Sequence, residues 1–79
     1  MDGTTVLNEA KNLGFPHQLN EENSWQILPK QPKDRWKLTA SGLRWILSLN
    51  NVPQLYLNSE EAIAFLQVQA RIDSKNREF

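Results

Sequence analysis

The chain has 79 residues, no cysteine and one histidine, and its nine basic side chains balance its nine acidic ones. This length predicts a single small domain over 1–79, and the missing cysteines exclude a disulfide framework and a thiolate metal site. With no apolar run of 18 residues and no leader-like N-terminus, we expect neither a membrane-spanning helix nor export, and hence a cytoplasmic protein.

A short helix is predicted at the start of the chain, over about residues 4–13. Apolar side chains recur there at helical spacing, namely Val6, Leu7, Ala10 and Leu13. Gly14 suits the position after a helix, because it adopts left-handed backbone at no steric cost. Pro16 prevents the helix from continuing. Residues 16–23 are polar and predict a loop.

Four strands are predicted after this loop, at about 24–29, 34–40, 43–49 and 54–57. Three units of Trp-x-aliphatic mark the first three strands: Trp25-Gln26-Ile27, Trp36-Lys37-Leu38 and Trp45-Ile46-Leu47. Alternation of this kind is typical of a half-buried strand, whose successive side chains point to opposite faces. Short turns between the units predict an antiparallel meander, and Pro53 marks the last strand as an edge.

The lengths of the turns predict the register of this meander. Loops at 30–33, 41–42 and 50–52 place two rows on one face, Trp25–Leu38–Trp45–Leu57 and Ile27–Trp36–Leu47–Leu55. All three tryptophans then share one layer. The opposite face carries the rows Gln26–Lys37–Ile46–Tyr56 and Leu28–Arg35–Ser48–Gln54, with Thr39 and Arg44 at its end.

A second helix is predicted over about 59–72, and 73–79 are expected to fray. Asn58 with Glu61 has the spacing of a capping box. Its apolar stripe consists of Ala62, Phe65, Leu66, Ala70 and Ile72. The predicted fold class is therefore α+β, with a short N-terminal helix, a four-stranded antiparallel meander and a C-terminal helix packed on one face of the sheet.

The segment around residues 37–43 supports a competing interpretation. Its sequence, Lys-Leu-Thr-Ala-Ser-Gly-Leu, resembles the strand-to-helix junction of winged-helix DNA-binding domains. That resemblance implies a helix capped by Thr39 and running through Trp45 and Leu49. Helical spacing of Leu43, Ile46 and Leu47 is compatible with it.

The chemistry-bearing residues do not form the pattern of an active site. His17 is a lone imidazole in a predicted loop, with no nucleophile or carboxylate near it in the sequence. The adjacent pairs Glu21-Glu22 and Glu60-Glu61 do not face one another, so neither resembles an acid–base pair. The three glycines are scattered, which excludes a glycine-rich phosphate loop. We expect no enzyme, and no catalytic, cofactor-binding or metal-binding residue.

The outer face of the predicted sheet is the candidate functional surface. Residues 30–44 carry a net charge of +4, whereas 1–29 and 45–79 carry −3 and −1. A patch of Tyr, Arg and aliphatic side chains is typical of a protein interface. We expect a small accessory or regulatory protein that binds a protein partner through Leu28, Arg35, Lys37, Arg44, Ile46 and Tyr56.

Three alternatives remain for that face and its edges. Arg35, Lys37 and Arg44 around Tyr56 predict a nucleic-acid-binding module in which the ring stacks a base. The strand–strand–strand–helix order also resembles, in topology, sheet-reading DNA-binding modules of the integrase-arm kind. The second alternative is that the N-terminal helix covers the face. Finally, the uncharged segment 54–57 predicts weak homodimer formation through an edge strand, the alternative being a monomer.

Overall fold

The computed structural model describes residues 3–76 and has the α+β architecture expected from the sequence. Its elements in chain order are α1 (Gly3–Leu13), β1 (His17–Leu19), β2 (Trp25–Ile27), β3 (Trp36–Ser41), β4 (Arg44–Leu49), β5 (Val52–Leu57) and α2 (Ser59–Asn76). The strands form one antiparallel sheet in sequence order. The sheet has five strands instead of the predicted four. The winged-helix interpretation is wrong, because the stretch that it made helical is β4.

The additional strand, β1, lies in the segment predicted as a loop. It pairs with β2 through His17↔Ile27 and Leu19↔Trp25. The connection between the two strands is held by Asn20, whose side-chain Oδ1 accepts hydrogen bonds from the backbone N–H groups of Glu22 and Ser24, both at 2.9 Å. This side chain supplies the turn that makes β1 possible.

The end of α1 has the predicted form. Gly14 has a φ of +85°, and its N–H donates to the carbonyl of Lys11 at 3.1 Å. The next N–H, of Phe15, donates to the carbonyl of Ala10 at 2.9 Å. These two bonds define a Schellman motif, which turns Phe15 back into the core, where its ring meets Trp36 edge-on at 5.6 Å.

Two of the three predicted registers are wrong by two residues. The β3–β4 pairing aligns Ala40 with Trp45 and Leu38 with Leu47, and Ile27 lies opposite Leu38 in the β2–β3 pairing. Gly42 causes the first shift: with its φ of +60° it takes the first central position of a two-residue turn, as in type II′. A shift of two residues leaves every side chain on its predicted face.

The β4–β5 pairing is as predicted from Trp45↔Leu57 to Leu47↔Leu55, although the turn differs from the one predicted. Asn50 and Asn51 have φ values of 52° and 67°, which is the left-handed pair of a two-residue type I′ turn. The strand then contains an irregularity next to Leu47, where Gln54 is the extra residue. Together these give Leu47↔Leu55, the same pairing as the predicted three-residue loop.

Both helices cover the same face of the sheet. Helix α1 lies against β1 and β2, and α2 against β4 and β5. A side-chain bond from Gln67 Nε2 to Glu9 Oε2 (3.2 Å) joins the helices. The core between helices and sheet contains Val6, Leu7, Ala10, Phe15, Ile27, Trp36, Leu38, Trp45, Leu57, Ala62 and Leu66.

The three tryptophans do not share one buried layer as predicted. Trp45 and Trp36 are buried, but Trp25 is 36% exposed. Its ring lies 5.7 Å from that of His17, a tilted contact at the β1–β2 end of the sheet. The correction follows from the register, because Trp25 begins β2 and its partner on β1 is the exposed Leu19.

Helix α2 is longer than predicted and crosses the sheet obliquely. Its first turn follows Leu57, the ring of Phe65 contacts Trp36 at 5.0 Å, and Asp73 accepts a long hydrogen bond from Gln31 Nε2 at 3.5 Å. The helix therefore runs from β5 to the β2–β3 connection. The helix continues past its predicted end at 72, and Asp73 is buried. The expectation that 73–79 fray stays a prediction, and positions 77–79 lie outside the described residues.

The predicted capping box at the start of α2 is confirmed. The N–H of Glu61 donates to Asn58 Oδ1 at 2.8 Å, and the N–H of Asn58 donates to Glu61 Oε1 at 2.9 Å. We expect Asn58→Ala to lower the free energy of unfolding by about 1 kcal/mol, because the N–H of Glu61 loses its acceptor. Urea denaturation measures this, with Asn58→Ser as the control that retains a cap. A loss as large in the serine variant would contradict this role.

Candidate functional site

No element among residues 3–76 covers the outer face of the sheet, which we define as the face away from the helices. One row of side chains crosses all five strands there: Gln18, Gln26, Thr39, Ile46 and Tyr56. Strands lie about 4.8 Å apart, so the row is about 19 Å long. The N-terminal helix is thus not the cover of this face, since it packs on the other side.

The two halves of this row differ in chemistry. In the first half, Gln18 Nε2 donates to Gln26 Oε1 at 3.3 Å, and Gln26 Nε2 donates to Thr39 Oγ1 at 3.4 Å. These bonds order the polar side chains across three strands. In the second half, Ile46 is half-buried and Tyr56 is 62% exposed. The row therefore ends in an accessible apolar and aromatic pair at the β5 edge.

Two of the predicted basic residues flank this pair. Arg44 precedes Ile46 by two positions on β4, and Lys37 lies opposite Ser48, two positions beyond Ile46. Because alternate residues share a face, all of these side chains are on the outer face. In the strand direction the two cations are separated by the length of four residues, or about 13 Å. They form the two ends of a surface whose centre is apolar.

Leu28 and Arg35 lie elsewhere, in the connection between β2 and β3. With Lys37 and the Asn50-Asn51 turn they line an open pocket of about 390 Å³ at one end of the sheet. Lys37 Nζ donates to Asn51 Oδ1 at 3.3 Å, and the carbonyl of Arg35 accepts from the N–H of Asn50 at 3.1 Å. Of the six predicted residues, the structure thus groups Leu28, Arg35 and Lys37 at one end, and Ile46, Tyr56 and Arg44 along the face.

The outer face is concave along part of its length. A depression of about 460 Å³ reaches from the β1–β2 loop over Thr39 and Ile46 to Pro53. Glu22 lies on its loop side. The lining of the depression combines the aliphatic side chain of Ile46 with the polar side chains of Thr39 and Ser48.

The remaining titratable groups of residues 3–76 show no cluster of metal-ligand type. The imidazole of His17 is exposed beside Trp25. Within the described part of the chain, no three His, Asp or Glu side chains are grouped as metal ligands would be. No helix in that part is long and apolar enough to cross a membrane.

Comparison with protein-family models, with curated proteins and with solved structures gives no match to this chain. The surface chemistry is therefore the basis on which a function is proposed.

A second surface, on the helix side of the sheet, was not predicted from the sequence. Because α2 crosses obliquely, it leaves the tip of the β4–β5 hairpin uncovered. The exposed apolar side chains there and on the adjoining flank of α2 are Leu49, Val52, Leu55, Val68 and Ile72, which we call the hairpin–helix patch. Of these residues, the sequence pattern assigned only Leu55 and Ile72 to apolar faces and placed Val52 in a turn, so the patch as a whole was not predicted.

Proposed function

We propose that this chain is a non-catalytic accessory or regulatory protein of the cytoplasm that binds another protein through the outer face of its sheet. The observation that supports the proposal is the uncovered row ending in Ile46 and Tyr56, with Arg44 and Lys37 on either side of Ile46 in the strand direction. A centre of aromatic and aliphatic side chains inside a polar rim is the usual composition of a protein interface. The lack of cysteines is ordinary in a reducing compartment, where small domains carry no disulfide staples.

The charges on this face favour a protein over a nucleic acid as the partner. A strand of nucleic acid presents phosphates in close succession, and proteins that follow it use a continuous basic groove. Here Lys37 on β3 and Arg44 on β4 are about 13 Å apart in the strand direction, and Lys37 already donates a hydrogen bond to Asn51. An isolated cation at each end suits a partner that places a carboxylate on either side of an apolar contact.

Photo-crosslinking at Tyr56 tests this proposal. With a benzophenone amino acid at position 56, we expect adducts with one protein species in cells, and no such adduct from position 68 on the helix side of the molecule. Val68 is the matched control because it is also about half exposed, at 47%. The same adducts from both positions, or none from position 56, would contradict binding through the outer face.

The partner identified in this way permits a quantitative test. A central tyrosine of an interface contributes about 2 kcal/mol or more on truncation, so Tyr56→Ala should weaken binding about 30-fold. Gln18→Ala, at the polar end of the same row, should change the affinity less than threefold. Binding of an oligonucleotide that weakens steeply between low and moderate salt would instead support the nucleic-acid alternative.

A further inference from the structure

The pocket of about 390 Å³ at the end of the sheet, which we call the end pocket, has three charged side chains in its lining. They are Arg35, Lys37 and Asp34, and Leu28 and Pro29 supply an apolar part of the wall. A volume of this order accommodates a small organic molecule. Unlike the hairpin–helix patch, the end pocket therefore carries charges that define the chemistry of a ligand.

The two cations of the end pocket lie on the same face of the sheet. The hydrogen bond from the N–H of Asn50 to the carbonyl of Arg35, at 3.1 Å, continues the β3–β4 ladder by one pair beyond Trp36↔Leu49. The extended backbone of β3 thus reaches back to Arg35, two positions before Lys37, and alternate residues share a face. Their Cα atoms are about 7 Å apart, so both side chains can reach one anion.

Neither cation is neutralised within the described part of the chain. Among residues 3–76, Arg35 has no ion pair and no side-chain hydrogen bond, and Lys37 bonds only to the neutral side chain of Asn51, at 3.3 Å. That bond orients the half-buried Lys37 and uses one of the three donors of its ammonium group. Two like charges this close repel one another, and an anion between them removes the repulsion.

We propose that the end pocket binds the phosphate group of a small phosphate monoester. The guanidinium of Arg35 matches two phosphate oxygens with parallel N–H donors, and the ammonium of Lys37 contacts the same group as a point charge. The organic part of the ligand then lies against Leu28 and Pro29. The carboxylate of Asp34, on the same wall, accepts a hydrogen bond from a hydroxyl group of that organic part.

The charges around the end pocket favour a small dianion over a carboxylate or a polymer. A phosphate monoester carries a charge of about −1.5 to −2 at neutral pH, which matches two cations better than the single charge of a carboxylate does. A nucleic-acid strand needs a succession of cations. The neighbouring basic residues do not provide one, because Lys33 is not part of the lining and Lys30 Nζ lies over the ring of Phe15, at 4.8 Å.

Titration of the ¹⁵N-labelled protein with inorganic phosphate and with glycerol 3-phosphate, followed by NMR at constant ionic strength, tests this site. We expect dissociation constants in the millimolar range, since exposed ion pairs are weak, with tighter binding of glycerol 3-phosphate and shifts at the N–H groups of Lys37 and Asn51. Arg35→Gln should weaken binding about fivefold or more, because it removes charge-assisted hydrogen bonds. Lys33→Gln is the matched control: it removes the same charge from the same connection, outside the pocket lining, and should change the affinity less than about twofold.

The absence of shifts with tens of millimolar phosphate would overturn the site. Equal weakening by Arg35→Gln and Lys33→Gln would also do so, because it would reveal a response to net charge alone. Glycerol 3-phosphate that binds no more tightly than inorganic phosphate would overturn the monoester as the ligand. Should Arg35→Gln fail to fold, Lys37→Gln replaces it in the comparison. None of these results bears on the protein contact centred on Tyr56, which is not part of the end pocket.

Discussion

Replacement of Trp45 by alanine should lower the free energy of unfolding by about 3–5 kcal/mol, the usual cost of truncating a buried aromatic side chain. Trp45 is 1% exposed and is the largest fully buried side chain of the described residues. It lies between Ala40 and Leu57 in the sheet, directly under the first half of α2. A domain of this size has a total stability of about 4–12 kcal/mol, so the substitution removes a large part of it.

Trp25→Ala is the matched control, because it deletes the same side chain from a different environment. Trp25 is 36% exposed at the border of the sheet, and its loss should cost at least about 2 kcal/mol less than that of Trp45. Urea denaturation followed by far-UV circular dichroism measures both without relying on tryptophan fluorescence. Equal losses would contradict the layering of the core. If Trp45→Ala is unfolded at 25 °C, the comparison is made with Trp45→Phe and Trp25→Phe.

The expected contrast between these two tryptophans shows what the sequence could establish about the fold. Alternation in each Trp-x-aliphatic unit identifies the strands and the face to which each side chain points. It does not give the order of burial across the sheet, because that depends on the register between the strands and on where the helices lie over them. The strand β1 has only three residues, all exposed, so its periodicity is too short to detect.

Turn chemistry explains why the pairing was predicted correctly in one hairpin only. The segment Ser41-Gly42-Leu43 allows glycine in the first or the second central position of a two-residue turn, and these choices differ by two residues in register. Glycine occupies the first position. In the β4–β5 hairpin the predicted three-residue loop and the observed two-residue turn with an extra Gln54 contain the same number of residues, so the pairing beyond them is the same.

The candidate surfaces were only partly predictable for a related reason. The outward orientation of residues on the central strands, such as Ile46 and Lys37, follows from alternation alone. The exposure of Leu49 and Leu55 does not, because it results from the angle at which α2 crosses the sheet. That angle depends on side chains far apart in sequence, such as Phe65 against Trp36 and Asp73 with Gln31. Sequence periodicity contains no information on it.

Leu38→Ala and Leu55→Ala should differ greatly in their effects, although the two leucines lie in one row on the same face of the sheet. Leu38 is fully buried, and its truncation leaves a cavity that costs about 2–5 kcal/mol. Leu55 is 56% exposed, and its truncation should cost less than about 1 kcal/mol, most of it from the lower strand propensity of alanine. Urea denaturation of the wild type and of both variants measures the two values. A cost for Leu55→Ala as large as that for Leu38→Ala would show that α2 covers β5, and the oblique crossing of the helix would then be wrong.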